Sequence, residues 1–151
     1  MDIQVRPVVA DDLPALLPLL RGYSTFYGTS PGDDELMGMA RTLVADPDRE
    51  GQQLVAVGGA GELLGFATLL WTWDTTRAAR IAVMEDLFVR DEARGRGVGR
   101  ELLRACRDRA HERGCGTLAW ETAPDNSTAQ RLYDATGASR DTWYAYRLPT
   151  D

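Results

Sequence analysis

The stretch Ile81-Ala-Val-Met-Glu-Asp-Leu-Phe-Val89, running on through Arg90-Asp-Glu-Ala93 into Arg94-Gly-Arg-Gly-Val-Gly99, decides how the rest of the chain is read. Its first part is apolar and strand-like, and predicts a strand over 79–90. Its last part sets Gly95, Gly97 and Gly99 at the start of a helix over about 98–113, in which Val98, Leu102, Leu103, Cys106 and Ala110 share a face. Glycines let the main chain approach an anion closely, and free N–H groups at a helix start bind phosphate oxygens. Strand, glycine loop and amphipathic helix in this order predict a site for a di- or triphosphate. Two phosphate motifs fail here. A dinucleotide fingerprint needs glycine where Arg100 stands, with an acidic residue closing a strand about twenty residues on, and a Walker loop needs a lysine that the chain lacks.

Outward from that stretch, the bulk properties bound the answer. A chain of 151 residues, 44% apolar and 26% charged, fits a single domain over 1–151 with one core. A net charge of −6 argues against a nucleic-acid partner and favours small cationic ones. The N-terminus lacks the features of a signal peptide, and the longest apolar run, Leu63 to Trp71, is too short to span a bilayer, so a cytoplasmic protein without a membrane partner is expected. The two cysteines, Cys106 and Cys115, match no metal or redox spacing and read as small buried side chains. The one histidine, His111, falls on the charged face of its helix. No metal site and no Ser/Cys–His nucleophile is expected from this inventory.

The remaining elements alternate in period. Residues 2–8 read as a strand ending at Pro7. Asp11 or Asp12 is expected to cap a helix bearing Leu13, Leu16, Leu17 and Leu20, and a second helix carries Leu36, Met39, Leu43 and Val44 before Asp46-Pro47 ends it. Strands over 53–57 and 62–71 are joined by Gly58-Gly-Ala-Gly61, a hairpin signature. A strand over 117–122, a helix over about 126–136 and a last strand around Trp143 to Leu148 complete a mixed α/β sheet with helices on both faces. In the strand before the loop, alternation puts Glu85 with Leu87 and Val89 on one face, and Asp86 with Met84 and Phe88 on the other. Two carboxylates among apolar neighbours call for a reason, since burying one unpaired is costly.

Arg-x-x-Gly-x-Gly after a strand, Met84-Glu-Asp-Leu-Phe-Val89 ahead of it and Asn126-Ser-Thr-Ala-Gln-Arg-Leu-Tyr-Asp-Ala-Thr-Gly137 behind it form three ordered blocks. Together they resemble the GNAT acetyltransferase superfamily along nearly the whole chain. The resemblance implies a mostly antiparallel central sheet of six to seven strands with about four helices. It also implies acetyl-coenzyme A as co-substrate, with pantetheine lying where the strand before the loop splays from the next. In that reading Leu87, Phe88 and Val89 face pantetheine, Arg94, Gly95, Arg96, Gly97, Val98 and Gly99 cradle the pyrophosphate, Arg100 reaches toward the adenosine phosphate, and Asn126 lies near the cofactor arm. Asn126 also suits a helix N-cap. A main-chain N–H near Phe88 or Val89 would stabilise the oxyanion. Tyr133 stands where relatives place the phenol that protonates the departing thiolate, and Glu85 where polyamine-type relatives place an amine anchor or base; a packing role for the tyrosine and an ion pair for the glutamate are the plain alternatives.

The closest likeness is to diamine acetyltransferases of the spermidine/spermine type. It implies an acidic, aromatic acceptor groove from Asp74, Glu85 and Asp141 with Trp73 and Trp143, and a substrate-side wall from Tyr23, Phe26 and Tyr27. Arg77 and Arg80 depart from that pattern and leave amino acids, aminoglycosides, small aryl amines and peptide amines open. Relatives are often dimers, so a homodimer is a further implied partner. A non-catalytic acetyl-coenzyme A sensor would keep the loop without a proton acceptor and donor, and retention of Glu85 and Tyr133 speaks against it.

Overall fold

Two periodicities, near 3.6 in the leucine stripes and 2 in the apolar runs, become layers in a computed structural model that describes residues 2–151. The order is β1 (Gln4–Pro7), a 3-10 turn (Ala10–Asp12), α1 (Leu13–Phe26), α2 (Asp33–Ala45), β2 (Gly51–Val57), β3 (Leu63–Asp74), β4 (Ala79–Val89), a 3-10 turn (Asp91–Ala93), α3 (Val98–Glu112), β5 (Leu118–Ala119) and α4 (Ser127–Asp134). The chain divides after Glu121 into two units, taken in turn.

In the first unit the five strands lie in the order β1-β2-β3-β4-β5. All pairs are antiparallel except β4 with β5, which is parallel. Val55 stands opposite Phe66, and Phe66 opposite Phe88, so these three point to the same side. On that side Val55 and Phe66 are fully buried with Leu13, Leu16, Leu19 and Leu20 of α1 and Leu36 and Ala40 of α2. Each large aliphatic side chain removed from water there contributes about 1.5–3 kcal/mol. The other side is covered by α3, whose buried residues are the predicted stripe Val98, Leu102, Leu103, Cys106 and Ala110. Both cysteines are buried and reduced, and His111 is exposed. The glycine hairpin forms as expected, with Gly58 N–H donating to the Glu62 carbonyl at 2.9 Å.

Five expectations need correction. Among the described residues the sheet has five strands rather than six to seven. Residues 143–148 form no strand: Trp143, Tyr144, Tyr146 and Leu148 are exposed, and aromatic β-propensity makes no strand without a ladder partner. The strand expected over 117–122 shrinks to Leu118–Ala119, paired only with Ala82 and Val83. Asp12 stands at the N-cap of α1, but its side chain makes no capping bond to that helix. Its carboxylate turns back to accept from the Val9 N–H at 2.8 Å and from both Arg6 guanidinium nitrogens at 2.7 and 2.9 Å. Finally, alternation in β4 breaks at Glu85. Leu69 pairs with Met84 and its neighbour Thr68 pairs with Asp86, so Glu85 is the extra residue of a β-bulge. Met84 and Asp86 therefore lie on opposite faces, not together, and Asp86 joins Phe66 and Phe88 on the α1 side.

The second unit contributes α4, capped by Asn126, whose side-chain oxygen accepts from the Ala129 N–H at 3.2 Å. Gln130 ties the start of this helix to the preceding turn by donating to the Ala123 and Pro124 carbonyls at 3.0 and 2.9 Å.

Candidate active site

The sheet opens at the site. β5 accompanies β4 only at Ala82 and Val83, and no strand pairs with Met84–Val89 along that edge among the described residues. The same segment is held on its other edge by β3, from Gly65 opposite Val89 to Leu69 opposite Met84. The opening is the splay that the resemblance implies. At its end the chain turns through Asp91–Ala93 into the glycine loop. Arg94 builds that turn: its Nε donates to the Val89 carbonyl at 3.1 Å and its guanidinium pairs with Asp91 at 3.2 Å.

Gly95 and Gly97 have φ of +75° and +83°, and an added Cβ at either would meet nothing within 4 Å. Backbone shape, not crowding within the protein, requires glycine there. Gly97 is the N-cap of α3 and carries no capping side chain. The first helical bond runs from Glu101 N–H to the Gly97 carbonyl, so the N–H groups of Val98, Gly99 and Arg100 point beyond the helix end. An open recess of 780 Å³ lies beside them, lined by Gly95, Arg96, Gly97 and Arg100 with Asp2, Ile3 and Glu101. Main-chain donors, a positive helix end and two arginines form a donor set that fits a pyrophosphate.

On the edge of the opening, Glu85 is exposed in the bulge. Partial burial, then the charges of Asp86 and Glu121, hold its carboxyl above the ordinary glutamate range. Asp86 is raised by burial, against the opposing pull of the nearby Thr68 and Tyr23 hydroxyls. Tyr23, from α1, is pushed far up by burial and then by the Asp86 charge. Its ring lies 4.9 Å from that of Tyr27 and 6.2 Å from that of Phe88, and Phe26 continues the cluster 5.1 Å from Tyr27.

The structure thus brings Glu85, Leu87, Phe88 and Val89 to the opening, the residues 94–100 to its end, and Tyr27 to the aromatic cluster against Phe88. Trp73 and Asp74 are elsewhere. They end β3 at the far side of the hairpin, six residues beyond Thr68 and so about 20 Å along the strand. Both already have partners: Arg80 stacks over Trp73 at 4.8 Å, and Asp74 binds Thr76 and Arg77, each at 2.7 Å, which lowers its carboxyl below the usual range. Asn126, Tyr133, Asp141 and Trp143 belong to the second unit. There Asn126 caps α4, Tyr133 lies in its last turn, and Asp141 and Trp143 are exposed outside any regular element.

Sequence reasoning missed the inward polar line Gln53–Thr68–Asp86–Tyr23, in which Gln53 Nε2 donates to Thr68 Oγ1 at 3.1 Å. The available signal was polar residues inside apolar strands, Gln53 in β2 and Thr68 in β3. Among the described residues no group of three or more metal-ligating side chains converges, and no helix is long and apolar enough to cross a membrane.

Comparison with known proteins agrees with this geometry. Residues 13–138 match the family described as Acetyltransferase (GNAT) family. The uncharacterized N-acetyltransferase YhfO of Bacillus subtilis (strain 168) is 30% identical over 144 residues, which cover 95% of each chain. The streptothricin acetyltransferase of Streptomyces lavendulae is 34% identical over 127 residues, 83% of this chain and 60% of that protein. A solved aminoglycoside N-acetyltransferase in complex with CoA superposes with a TM-score of 0.85 over 99% of this chain and 96% of its own, at 18% identity, and so shows the fold. A splayed strand ending in a glycine loop, a family match spanning most of the sequence and a full-length relative lead to one conclusion: the chain belongs to the GNAT acetyltransferase family and is an acyltransferase.

Proposed function

We propose that the protein transfers the acetyl group of acetyl-CoA directly to the primary amine of a small cationic metabolite, and that residues 1–151 act in this as one acetyltransferase domain. The observation that carries the reading is the opening of β4 from β5 beyond Val83, with the glycine loop of α3 at its end. The main chain of Leu87, Phe88 and Val89 holds the pantetheine arm. The loop from Arg94 to Gly99 with Arg100 holds the phosphates, and Asn126 and Tyr133 complete the cofactor side.

An alkylamine with a pKa near 10 is only about one part in a thousand neutral at pH 7, so the first task is proton removal. Glu85, raised above its ordinary range yet exposed to the opening, accepts that proton directly or through water. The amine nitrogen then forms its bond to the thioester carbonyl carbon while a main-chain N–H of Phe88 or Val89 stabilises the oxyanion. Tyr133 protonates the sulfur as the carbon–sulfur bond breaks, and its phenolate takes up the second proton that the new amide nitrogen gives up. Tyr27 and Phe26 supply an exposed aromatic wall for the acceptor. A polyamine-length acceptor meets its first carboxylate at Glu85 and a second at Asp74 only about 20 Å away, with Trp73, Asp141 and Trp143 as the further proposed contacts.

Thiol release from acetyl-CoA against spermidine, spermine, short diamines, amino acids, an aminoglycoside and a basic peptide tests this. Saturable turnover with at least one small amine is expected. Tight CoA binding with no turnover on any of them would overturn it in favour of a sensor domain.

A further inference from the structure

Tyr23 and Asp86 are half-buried polar groups that this chemistry leaves unused. They meet at the one irregular point of β4. Glu85 has no residue opposite it on β3, so cross-strand pairing does not hold it in place. Its carbonyl is met instead by the Tyr23 hydroxyl at 3.3 Å. The helix can come this close because residue 22 is glycine: a Cβ there would stand 2.9 Å from the Phe88 ring. The Tyr23 ring is fixed edge-on against Phe66 and Phe88, at 5.8 and 6.2 Å.

Asp86 is held from below. Thr68 Oγ1 accepts from buried Gln53 at 3.1 Å, which leaves its single proton for the Asp86 carboxylate. Among the described residues no basic side chain pairs with Asp86, so its charge is uncompensated, an arrangement that costs stability and that an apolar residue would avoid. The groups facing the two carboxylates are known from each element: Asp86 and Glu121 act on Glu85, while Tyr23 of α1, backed by Tyr27, and Thr68 of β3 face Asp86.

We propose that Tyr23 and Asp86 are a positioning pair for Glu85: Tyr23 pins the bulge through the Glu85 carbonyl, and Asp86, the next residue along the bulge, sets a second carboxylate beside it. The proposal rests on the reading of Glu85 as the group that accepts the amine proton. A glutamate at its ordinary acid strength is a weak base at neutral pH, and a like charge close by strengthens it.

The test combines carbon-detected NMR titration of the glutamate carboxyls with steady-state kinetics on the wild type, Asp86→Asn and Tyr23→Phe. In Asp86→Asn, Glu85 is expected to titrate about half a pH unit lower or more, and the acid limb of kcat/KM to move the same way. In Tyr23→Phe, kcat is expected to fall about tenfold with acetyl-CoA affinity unchanged. An unmoved Glu85 titration in Asp86→Asn, or wild-type kcat in Tyr23→Phe, overturns the proposal. A fall in melting temperature with an unmoved titration overturns it too, since it marks a purely structural pair. Were the wild type to acetylate no amine, the proposed activity would fail on its own, and the NMR titration would still decide whether Asp86 acts on Glu85.

Discussion

Glu85 and Asp86 are neighbours in sequence with opposite circumstances, and the difference comes from one extra residue in one strand. Glu85 is exposed at the opening, whereas Asp86 is turned under α1 against Thr68 and Tyr23. Glu85→Gln removes the proposed base and is expected to lower kcat/KM by about a hundredfold or more at pH 7, as measured by thiol release. Wild-type activity should fall as pH drops through the raised Glu85 value, since protonation removes the base, and Glu85→Gln should lose that limb. Asp86 carries the opposite sign for stability. Its folded carboxyl is raised, so the folded state is disfavoured while Asp86 is charged and gains as pH falls through the raised value. Asp86→Asn is therefore expected to raise the melting temperature at pH 7 while impairing turnover, a trade that calorimetry and kinetics on one sample would reveal. At this scale the sequence was partly legible: the two carboxylates stood out among apolar neighbours, but strict alternation put Asp86 on the face of Met84. A bulge leaves no mark in the pattern of apolar residues. Only the register with Thr68 and Leu69 exposes it.

Among the elements, the glycine loop was the most legible. Gly95 and Gly97 adopt the left-handed backbone that only glycine takes without strain, and α3 begins at Val98, where its apolar stripe starts. Gly97→Ala places a side chain in that conformation at a cost of about 1–2 kcal/mol, so a CoA titration by calorimetry should show affinity weakened about tenfold if the loop geometry forms the phosphate site. The three main strands and α1 to α3 were also legible, because each buries one side and keeps its period. The ends of the chain's pattern were not. Residues 143–148 have the aromatic content of a strand but no partner, and β5 is cut short where it leaves β4. Strand formation there depends on pairing at a distance, which local propensity does not encode. Nor does the sequence pattern show that Arg77 and Arg80, which follow within the same hairpin, already engage the Asp74 and Trp73 side chains.

For the molecule as a whole, acid stability is set by specific pairs and not by net charge. Asp12, nearly buried and bonded first by Arg6 and then by the Val9 N–H, has a lowered carboxyl. Its contribution is present above the unfolded value of about 3.9 and is lost as pH falls through the lower folded value. Acid unfolding followed by circular dichroism should show Asp12→Asn less stable than wild type at pH 7, with the gap closing toward the acid end. The central claim concerns the sheet opened at β4 with a glycine loop at its end, and its most direct test is where an acetyl group goes. With acetyl-CoA labelled in the acetyl carbonyl and the best acceptor of the panel, mass spectrometry should find the label in the amine as an amide, and lose most of it in Glu85→Gln. Label recovered only as free acetate or still on CoA would contradict the account.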